Sequence, residues 1–569
     1  MIKILINFYS LLDKNFKSFL IILTIFLLLG MIIETIGVSL IIPLVSLVIF
    51  DGEYINYFSN LIGINLLYYQ KSYLINFFVI IFAVFFLLKS IYLVSILYLH
   101  NKFSFELQAS LSYNLYKNYL KKSFQFHTNQ NSSILLRNII IEMNNLHLYI
   151  INPLITLFAE CLLVLGIMIL MMLVDIRAFT LIIFISVPFI FIYLSFAKKK
   201  IKFFGDKRLH YDGLKLKNAK EAFNSIKEIK VYNAENYSVN NYDILNRKSA
   251  NYAKLQHWFE QFPRILLELF AVGCILIFLL YIGNNYNNIE TLIAKTSLFA
   301  LASFKILPSL NKILVSIQNF KYGIPFLEQV ASDLGKKEKI NKYHNTSQLN
   351  QVLDSIEFKD VSFKYTENLI LNKINFKFTK GDIVGIKGPS GSGKTTMLNL
   401  ITGLLEPSKG KIIINDELLN KNQNKITNNI GYVPQNIFLN DDTILKNIAF
   451  GVEENKINLD KVKKLIDSLN LKKVITHLPN KINYKIGENA AKISGGEKQR
   501  IGIARALYFE PDLIILDEAT NELDETTEKL ILNTLQTYSK TKISIIISHK
   551  ESTLKICNKI LNLNKGELN

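Results

Sequence analysis

The apolar residues of this chain are concentrated before residue 320, in runs long enough to cross a lipid bilayer. Half of its 569 residues are hydrophobic. A helical crossing takes about 20 predominantly apolar residues. The sequence predicts six such spans, at roughly 17–49, 73–99, 148–174, 178–197, 263–283 and 290–318. We therefore expect an α-helical membrane domain at 1–330, a polar linker at 331–353 and a second, α/β domain at 354–569.

Basic residues predict how these spans are oriented. Six lysines and arginines lie between residues 198 and 208, directly after the fourth span. The turn after the third span holds only Arg177, and the turn after the fifth holds no lysine or arginine. By the positive-inside rule the short turns face outward, so residues 198–260 and both termini face the cytoplasm. We expect a multi-pass protein of the bacterial cytoplasmic membrane, in contact with the lipid bilayer.

The net charge of +19 does not by itself indicate a nucleic-acid-binding protein. Much of the excess lies at cytoplasmic membrane margins, where basic residues fix topology and meet anionic lipid. There is no basic stripe with interleaved aromatic residues, so we expect no nucleic-acid partner. Cys161, Cys274 and Cys557 lack metal-ligand spacing, and we expect neither a disulfide nor a cysteine metal site.

A complete phosphate-binding loop follows the apolar strand 383–386 and opens a helix, as the pattern G-x-x-x-x-G-K-[ST] requires. Its residues are Gly388, Pro389, Ser390, Gly391, Ser392, Gly393, Lys394, Thr395 and Thr396. The glycines let backbone N–H groups close on phosphate oxygens, and the helix N-terminus adds partial positive charge. Lys394 can reach the β- and γ-phosphates and Thr395 can bind Mg²⁺. The sequence therefore predicts a nucleoside triphosphate site.

A second motif is a buried apolar strand, 513–516, that ends in the two acids Asp517 and Glu518. Sheets of the α/β type place ligands at the carboxyl ends of their strands. Asp517 can hold Mg²⁺ through water, and Glu518 can polarise an attacking water as a general base. Because the acids follow the phosphate loop by about 120 residues, we expect hydrolysis of the bound triphosphate.

The run from Ser494 to Arg500, Ser-Gly-Gly-Glu-Lys-Gln-Arg, resembles the signature of ATP-binding cassette (ABC) ATPases. The whole chain resembles an exporter half-transporter of that family, with six spans followed by one cassette. The resemblance implies a six-helix type IV exporter fold and an α/β P-loop domain with a helical subdomain. It also implies that the ligands are ATP and Mg²⁺.

Other family positions occur in order along the chain. Tyr365 matches the aromatic residue that stacks on adenine, and Asp524 matches the D-loop aspartate. Gln435 matches the glutamine that senses Mg²⁺ and the attacking water. His549 matches the switch histidine that contacts the γ-phosphate. The resemblance therefore gives Glu518, His549 and Gln435 catalytic roles.

Mg²⁺ is expected on Thr395, Gln435 and Asp517, partly through water. In this family the signature of one subunit completes the ATP site of another, so the resemblance implies nucleotide contacts from Ser494, Gly495, Gly496 and Glu497. Two chains are then needed, and a homodimer is the simplest arrangement, with a heterodimer containing a paralogous half-transporter as the alternative.

Two positions depart from the family pattern. Glu497 replaces the usual glutamine of the signature, and Glu522 stands where a small residue is common. We expect the Glu497 carboxylate to lower nucleotide affinity, because it lies near an anionic ligand. Every residue that handles phosphate or water is present, so both departures are interpreted as tuning.

Charged residues inside the predicted spans indicate where a substrate binds, because such residues normally face a cavity or one another. They are Glu34, Glu160, Arg264, Glu268 and Lys305. Arg264 and Glu268 are four residues apart, and a simple ion pair between them is the alternative interpretation. Glu34, Arg264 and Lys305 are the candidate substrate residues, and an unpaired Arg264 or Lys305 would suit an anionic head group such as a phosphate.

The segments 33–44 and 263–268 are similar to those of bacterial flippases for lipid-linked oligosaccharides. The segment 53–63 is amphipathic at helical period, and those flippases also carry a short outer helix after the first span. Two interpretations of this segment stay open, a helix in the lipid interface and an ordinary loop helix packed on its own domain. The resemblance implies outward flipping of a polyprenyl-diphosphate-linked oligosaccharide. A lipid A-type, general lipid or drug exporter is the nearer alternative, and a membrane-anchored regulatory ATPase that transports nothing is the more distant one.

Overall fold

The computed structural model describes residues 8–40, 71–285, 289–335, 352–365, 368–418, 430–487 and 492–568. The chain forms two compact units. The first contains Met1–Leu120 and Ser132–Lys336, and the second contains Lys121–Asn131 and Lys337–Asn569. The short segment Lys121–Asn131, which lies between two predicted spans, therefore belongs to the same unit as the α/β domain.

The first unit is helical throughout its described residues. Its helices, together with the short α3 of the second unit, are α1 (Lys14–Ser39), α2 (Lys71–Leu120), α3 (Phe124–Asn129), α4 (Ser132–Arg137), α5 (Met143–Leu146), α6 (Asn152–Val174), α7 (Ile176–Asn224), α8 (Ile226–Val231), α9 (Glu235–Asn285) and α10 (Ile289–Gly335). Two π-helical segments, Asn138–Glu142 and His147–Ile151, lie between α4 and α6.

Four helices are long and apolar enough to cross a membrane, within the part of the chain that was described. They cover Lys14–Ser39, Ile75–Leu120, Ile134–Val174 and Thr296–Leu334. The other two predicted spans, 178–197 and 263–283, lie inside the continuous helices α7 and α9. The first predicted span extends to residue 49; α1 ends at Ser39, and residues 41–49 lie outside the described residues. The predicted outer helix at 53–63 lies outside the described residues.

The lengths of these helices follow from their sequences. The 50 residues of α2 include no glycine or proline, so nothing interrupts the helix between the membrane and its polar extension. The helix ends before Ser123, whose hydroxyl accepts a hydrogen bond from Phe126 N and caps α3. The polar region 100–147 therefore contains more than one helix, because the chain turns at residues 121–123.

Small residues let the membrane helices approach closely. A Cβ atom added to Gly166 of α6 would lie 2.5 Å from Thr35 Cγ2 and 2.8 Å from Met31 Cγ, both on α1. Gly323 of α10 packs in the same way on Ile150. Without a hydrophobic driving force between helices in lipid, such close backbone contacts supply packing energy. These glycines position the helices that carry the buried charges described below.

The second unit contains two sheets. Its strands are β1 (Ser355–Tyr365), β2 (Asn368–Thr379), β3 (Ile383–Lys387), β4 (Lys409–Ile414), β5 (Glu417–Leu418), β6 (Ile430–Val433), β7 (Leu513–Asp517), β8 (Ile543–Ile547), β9 (Lys559–Asn564) and β10 (Glu567–Leu568). An antiparallel sheet has the order β2-β1-β4-β5, and a six-stranded sheet has the order β10-β9-β3-β8-β7-β6.

The longer helices of the α/β domain alternate with these strands, as a parallel sheet requires. The domain's helices are α11 (Lys394–Ile401), α12 (Ile444–Ile448), α13 (Leu459–Ser468), α14 (Lys472–His477), α15 (Gly495–Tyr508), α16 (Glu525–Ser539) and α17 (Glu551–Leu554). Strands β6, β7, β8, β3 and β9 run parallel, and β7 and β8 are buried along their whole lengths. Separate apolar clusters pack the two faces of this sheet.

Arg505 of α15 ties the helical region between β6 and β7 together. Its guanidinium donates to Asn447 O, to Asn447 Oδ1 and to Phe438 O at 2.8–2.9 Å. It also lies 4.8 Å from the ring centroid of Phe450. A planar fork with several fixed donors suits this geometry, and the ammonium of a lysine does not.

We predict that Arg505→Lys destabilises the α/β domain by about 2–4 kcal/mol, because a lysine cannot reach three acceptors at once. Differential scanning calorimetry of the full-length protein would show the change as a lower melting temperature. Arg247→Lys is the matched control, because the Arg247 side chain is 80% exposed and pairs with Asp243 four residues away. Equal melting temperatures for the two variants would contradict the prediction.

Candidate active site

The predicted phosphate-binding loop joins β3 to α11 and has the backbone geometry that a phosphate cradle needs. Gly391 and Gly393 have φ values of +80° and +106°, which favour glycine. A Cβ atom on Gly388 would collide with Leu563 O. These three positions carry no side chain, so the backbone N–H groups of the loop and the start of α11 can approach an anion closely.

Two side chains of the loop fit an anionic ligand. The Lys394 ammonium donates to Gly388 O at 2.7 Å and Pro389 O at 3.0 Å, which holds its charge over the loop. Ser392 is 4% exposed, and its hydroxyl has no hydrogen-bond partner in the described residues. A buried, unpaired hydroxyl is costly unless a ligand satisfies it. The loop therefore fits the phosphates of a nucleotide.

Asp517 lies at the carboxyl end of β7 and is 8% exposed. Burial and the adjacent charge of Glu518 raise the pKa of Asp517, while the ammonium of Lys394 lowers it. A buried carboxylate whose charge is only partly compensated is a suitable partner for a hard cation. Asp517, Thr395 and Gln435 are the residues that would hold Mg²⁺ here.

Glu518 is the centre of a polar cluster. Its carboxylate accepts hydrogen bonds from Gln435 Nε2 at 2.9 Å and Asn521 Nδ2 at 3.0 Å. His549 Nε2 lies 3.5 Å from Glu518 Oε1. The structure thus brings together the three residues predicted to be catalytic, and adds Asn521, which the sequence reasoning missed. The sequence did hold a signal for Asn521, because this residue follows Glu518 by only three positions in a short loop.

The backbone of Glu518 is strained, with φ of +52°, a conformation that non-glycine residues rarely adopt. A hydrogen bond from Glu518 N to Ile547 O at 3.0 Å fixes this conformation against β8. Strained residues persist where the surrounding structure holds them, often at active sites. In this conformation the Glu518 carboxylate contacts both Gln435 and His549.

Comparison with known proteins identifies the family. The family described as ABC transporter transmembrane region matches residues 20–306, and the family described as ABC transporter matches residues 371–521. The chain belongs to the ABC transporter family. It is an exporter half-transporter, an ATPase coupled to transport, as the sequence predicted.

Relatives of the transporter agree with this assignment. It is 24% identical over 463 residues to a protein of Ralstonia nicotianae named ATP-dependent lipid A-core flippase, covering 81% of this chain and 78% of the relative. It is 27% identical over 456 residues to a protein of the same name from Cupriavidus pinatubonensis, covering 78% and 75%.

A solved structure, that of a bacterial Atm1-family ABC exporter with ATP bound, shares the fold. The two align with a TM-score of 0.80 at 20% identity, covering 98% of this chain and 95% of the other. The predicted type IV exporter fold, with a helical membrane domain and a P-loop ATPase domain, is confirmed.

Each residue of the Glu518 cluster has the chemistry for a different part of ATP hydrolysis. Glu518 can accept a proton from water, because Gln435 and Asn521 hold its carboxylate in one orientation. His549, which is half exposed, can donate to a phosphoryl oxygen from the same side. Mg²⁺, where bound, would neutralise phosphate charge.

Two predicted nucleotide contacts have structural partners of their own. Tyr365 ends β1 and packs edge-on against Phe363, with ring centroids 4.8 Å apart. Asp524 is the N-cap of α16 and accepts hydrogen bonds from Thr526 and Thr527, which hold the pKa of Asp524 below its usual range. Adenine stacking by Tyr365 and nucleotide contact by Asp524 stay predictions.

The signature run begins α15. Ser494 is the N-cap, its hydroxyl accepts from Glu497 N at 3.4 Å, and the Glu497 carboxylate accepts from Ser494 N at 2.8 Å. This reciprocal pair is a capping box, in which glutamate and glutamine are both suitable at the third position. Glu497 thus has a local structural role, because its carboxylate is turned back on the chain.

The second departure, Glu522, lies directly against the signature. A Cβ atom on Gly495 would collide with Glu522 Oε2, so the carboxylate lies beside the first residue of α15. Glu522 N donates to Gln499 Oε1 at 3.2 Å, which fixes the loop there. A carboxylate is favoured at a helix N-terminus. In the family arrangement it would compete there with the γ-phosphate of ATP.

We predict that Glu518→Gln lowers the ATPase rate by roughly 10²- to 10⁴-fold, because the amide keeps the hydrogen-bonded position but cannot accept a proton. Binding of a fluorescent ATP analogue should persist, which separates loss of catalysis from loss of folding. A variant that hydrolyses ATP within a few-fold of the wild-type rate would exclude Glu518 as the base.

We predict that Glu522→Gln lowers the KM for ATP by roughly two- to fivefold, because it removes a negative charge from the N-terminus of α15. Glu525→Gln is the matched control, since the Glu525 side chain is 80% exposed and pairs with Lys529. Steady-state ATPase assays of both variants would measure the difference. An unchanged or higher KM for Glu522→Gln would show that this carboxylate does not compete with ATP.

Proposed function

We propose that the transporter flips a lipid with a phosphorylated head group outward across the cytoplasmic membrane, with both of its termini in the cytoplasm. The observation that carries the proposal is a set of lysines and carboxylates within the membrane helices. It contains three lysines and two glutamates, Lys89, Lys305, Lys312, Glu34 and Glu160.

The glutamates are buried and hold the lysines in place. Glu34 Oε2 of α1 lies 2.7 Å from Lys89 Nζ of α2 and 3.4 Å from Lys305 Nζ of α10. The Glu160 carboxylate of α6 accepts a hydrogen bond from Lys312 Nζ of α10 at 2.6 Å. Charged groups in a membrane normally pair in this way and mark a substrate pathway.

The paired lysines remain available to a ligand. The side chains of Lys305 and Lys312 are 48% and 58% exposed, whereas those of Glu34 and Glu160 are 7% and 11% exposed. Lys305 and Lys312 are seven positions apart, so they lie on one face of α10, about 10 Å apart along its axis. The set as a whole, with the buried Lys89 of α2 included, has three ammonium groups against two carboxylates, and this net positive charge suits a phosphate or diphosphate.

Two lipid classes carry such a head group. Similarity of residues 33–44 and 263–268 to the oligosaccharide flippases favours a polyprenyl-diphosphate-linked oligosaccharide, which is the substrate we propose. The name of the Ralstonia nicotianae and Cupriavidus pinatubonensis relatives favours a lipid A-type substrate, which is the second candidate. Arg264 is the third candidate substrate residue, beside Glu34 and Lys305. Its side chain lies outside the described part of the structure, so its role stays a prediction.

A second copy of the chain would complete the ATP site. Ser494, Gly495 and Gly496 present the start of α15, and a phosphate held by the loop at 388–396 of another subunit would meet it there. A paralogous half-transporter is the alternative partner. The segments 123–129 and 219–232, which contain α3 and α8, would transmit closure of the ATPase domains to the membrane helices. Ser123 and Ser225 are the N-cap residues of α3 and α8, so each segment contains a short helix separate from the long helix before it.

We predict that Lys305→Gln and Lys312→Gln each raise the lipid concentration for half-maximal flipping by on the order of tenfold, because each removes a charged hydrogen bond to the head group. The assay would use proteoliposomes with fluorescent polyprenyl-diphosphate oligosaccharide or lipid A. Lys217→Gln is the control, since this side chain is 72% exposed and lies outside the membrane set.

The two lipids are separated in the same assay. Flipping of the oligosaccharide lipid alone would support the substrate that we propose, and flipping of lipid A alone would support the second candidate. If both lysine variants kept wild-type concentration dependence for every phosphorylated lipid, the anionic head-group proposal would fail.

A further inference from the structure

A cavity of about 460 Å³ lies at the start of the first membrane helix. It is formed by residues of α1, α2 and α6 and by the helical turn that precedes α1. Among its lining residues are Phe8, Tyr9, Leu20, Leu23, Phe103 and Ile155. The substrate lysines do not line it, and no step proposed above uses it.

The lining is almost entirely apolar. The hydroxyl of Thr24, which also lines the cavity, donates to Leu20 O at 2.8 Å and so is already satisfied within α1. A water molecule needs two to four polar partners to be ordered in a cavity. The hydroxyls of Tyr9 and Thr24 are the only polar side-chain groups among these lining residues, too few to order the water that a cavity of this size would hold. An empty cavity of this size would forgo dispersion contacts on every side. The physical chemistry therefore favours an apolar occupant.

A cation lies at the same place. Lys17 Nζ lies 4.5 Å from the ring centroid of Tyr9, and Tyr9 lines the cavity. Lys14 is exposed one turn earlier on α1. Asp13, which is also exposed, is the one acidic residue in this stretch from 8 to 20. Two ammonium groups against one carboxylate leave a positive edge, at which anionic lipid head groups bind.

We propose that this cavity binds an anionic glycerophospholipid, with one acyl chain among Leu20, Phe103 and Ile155 and the phosphate at Lys17. The lipid belongs to the leaflet next to Lys17, which is the cytoplasmic leaflet in the predicted orientation. It is a bound structural lipid that fastens the turn before α1 to α2 and α6, and it is distinct from the transported lipid.

Native mass spectrometry of the full-length transporter tests the proposal. The protein is first delipidated and then exposed to phosphatidylglycerol or phosphatidylcholine with the same acyl chains. We expect the wild type to retain phosphatidylglycerol at least about tenfold better than phosphatidylcholine. Leu20→Trp and Ile155→Phe, which fill the cavity, should lose most of the retained lipid. Lys17→Gln should keep lipid binding but lose the preference between head groups.

Ile21→Trp is the matched control, because Ile21 is the next residue of α1, is 62% exposed and does not line the cavity. Basal ATPase activity of each variant shows that it has folded. The proposal is overturned if both cavity-filling variants retain as much lipid as the control. It is also overturned if the wild type retains no phosphatidylglycerol.

Discussion

The parallel pairing of four strands is the constraint on which the catalytic chemistry depends. Strands β3, β8, β7 and β6 are neighbours in one sheet, and their carboxyl ends meet at one edge. The phosphate loop, His549, the pair Asp517–Glu518 and Gln435 follow these ends in that order. Gln435 and Glu518, which are 83 positions apart along the chain, are therefore brought within hydrogen-bond reach of each other. Burial of β7 and β8 along their whole lengths keeps this register fixed, because a slip would expose apolar side chains.

The start of α15 shows how the two departures from the family signature are accommodated. Glu497 is turned back on Ser494 by the capping box, so the acid replaces an amide that would make the same bond. Glu522 differs, because its carboxylate lies against Gly495, the first residue of α15. Repulsion near the nucleotide was expected from Glu497, and the structure assigns the more direct anionic contact with the signature to Glu522 instead.

How much could be predicted from the sequence depended on how local each feature is. The phosphate loop and the acid pair were predictable, since strand, loop and helix signals lie within about a dozen residues. The membrane charges were found only in part. Glu34, Glu160 and Lys305 were recognised as charges in apolar runs, but Lys89 and Lys312 were missed, although each also lies within a predicted span. Their pairing could not be predicted, because Glu160 and Lys312 are 152 residues apart and meet only through helix packing.

The account's central claim is that hydrolysis at this edge of the sheet drives lipid movement through the membrane helices. The most direct test measures ATP hydrolysed and phosphorylated lipid translocated in the same proteoliposomes, which contain only this transporter and lipid. The account predicts a constant ratio of lipid moved to ATP hydrolysed as the ATP concentration varies. Sustained hydrolysis with no translocation of any phosphorylated lipid would contradict it.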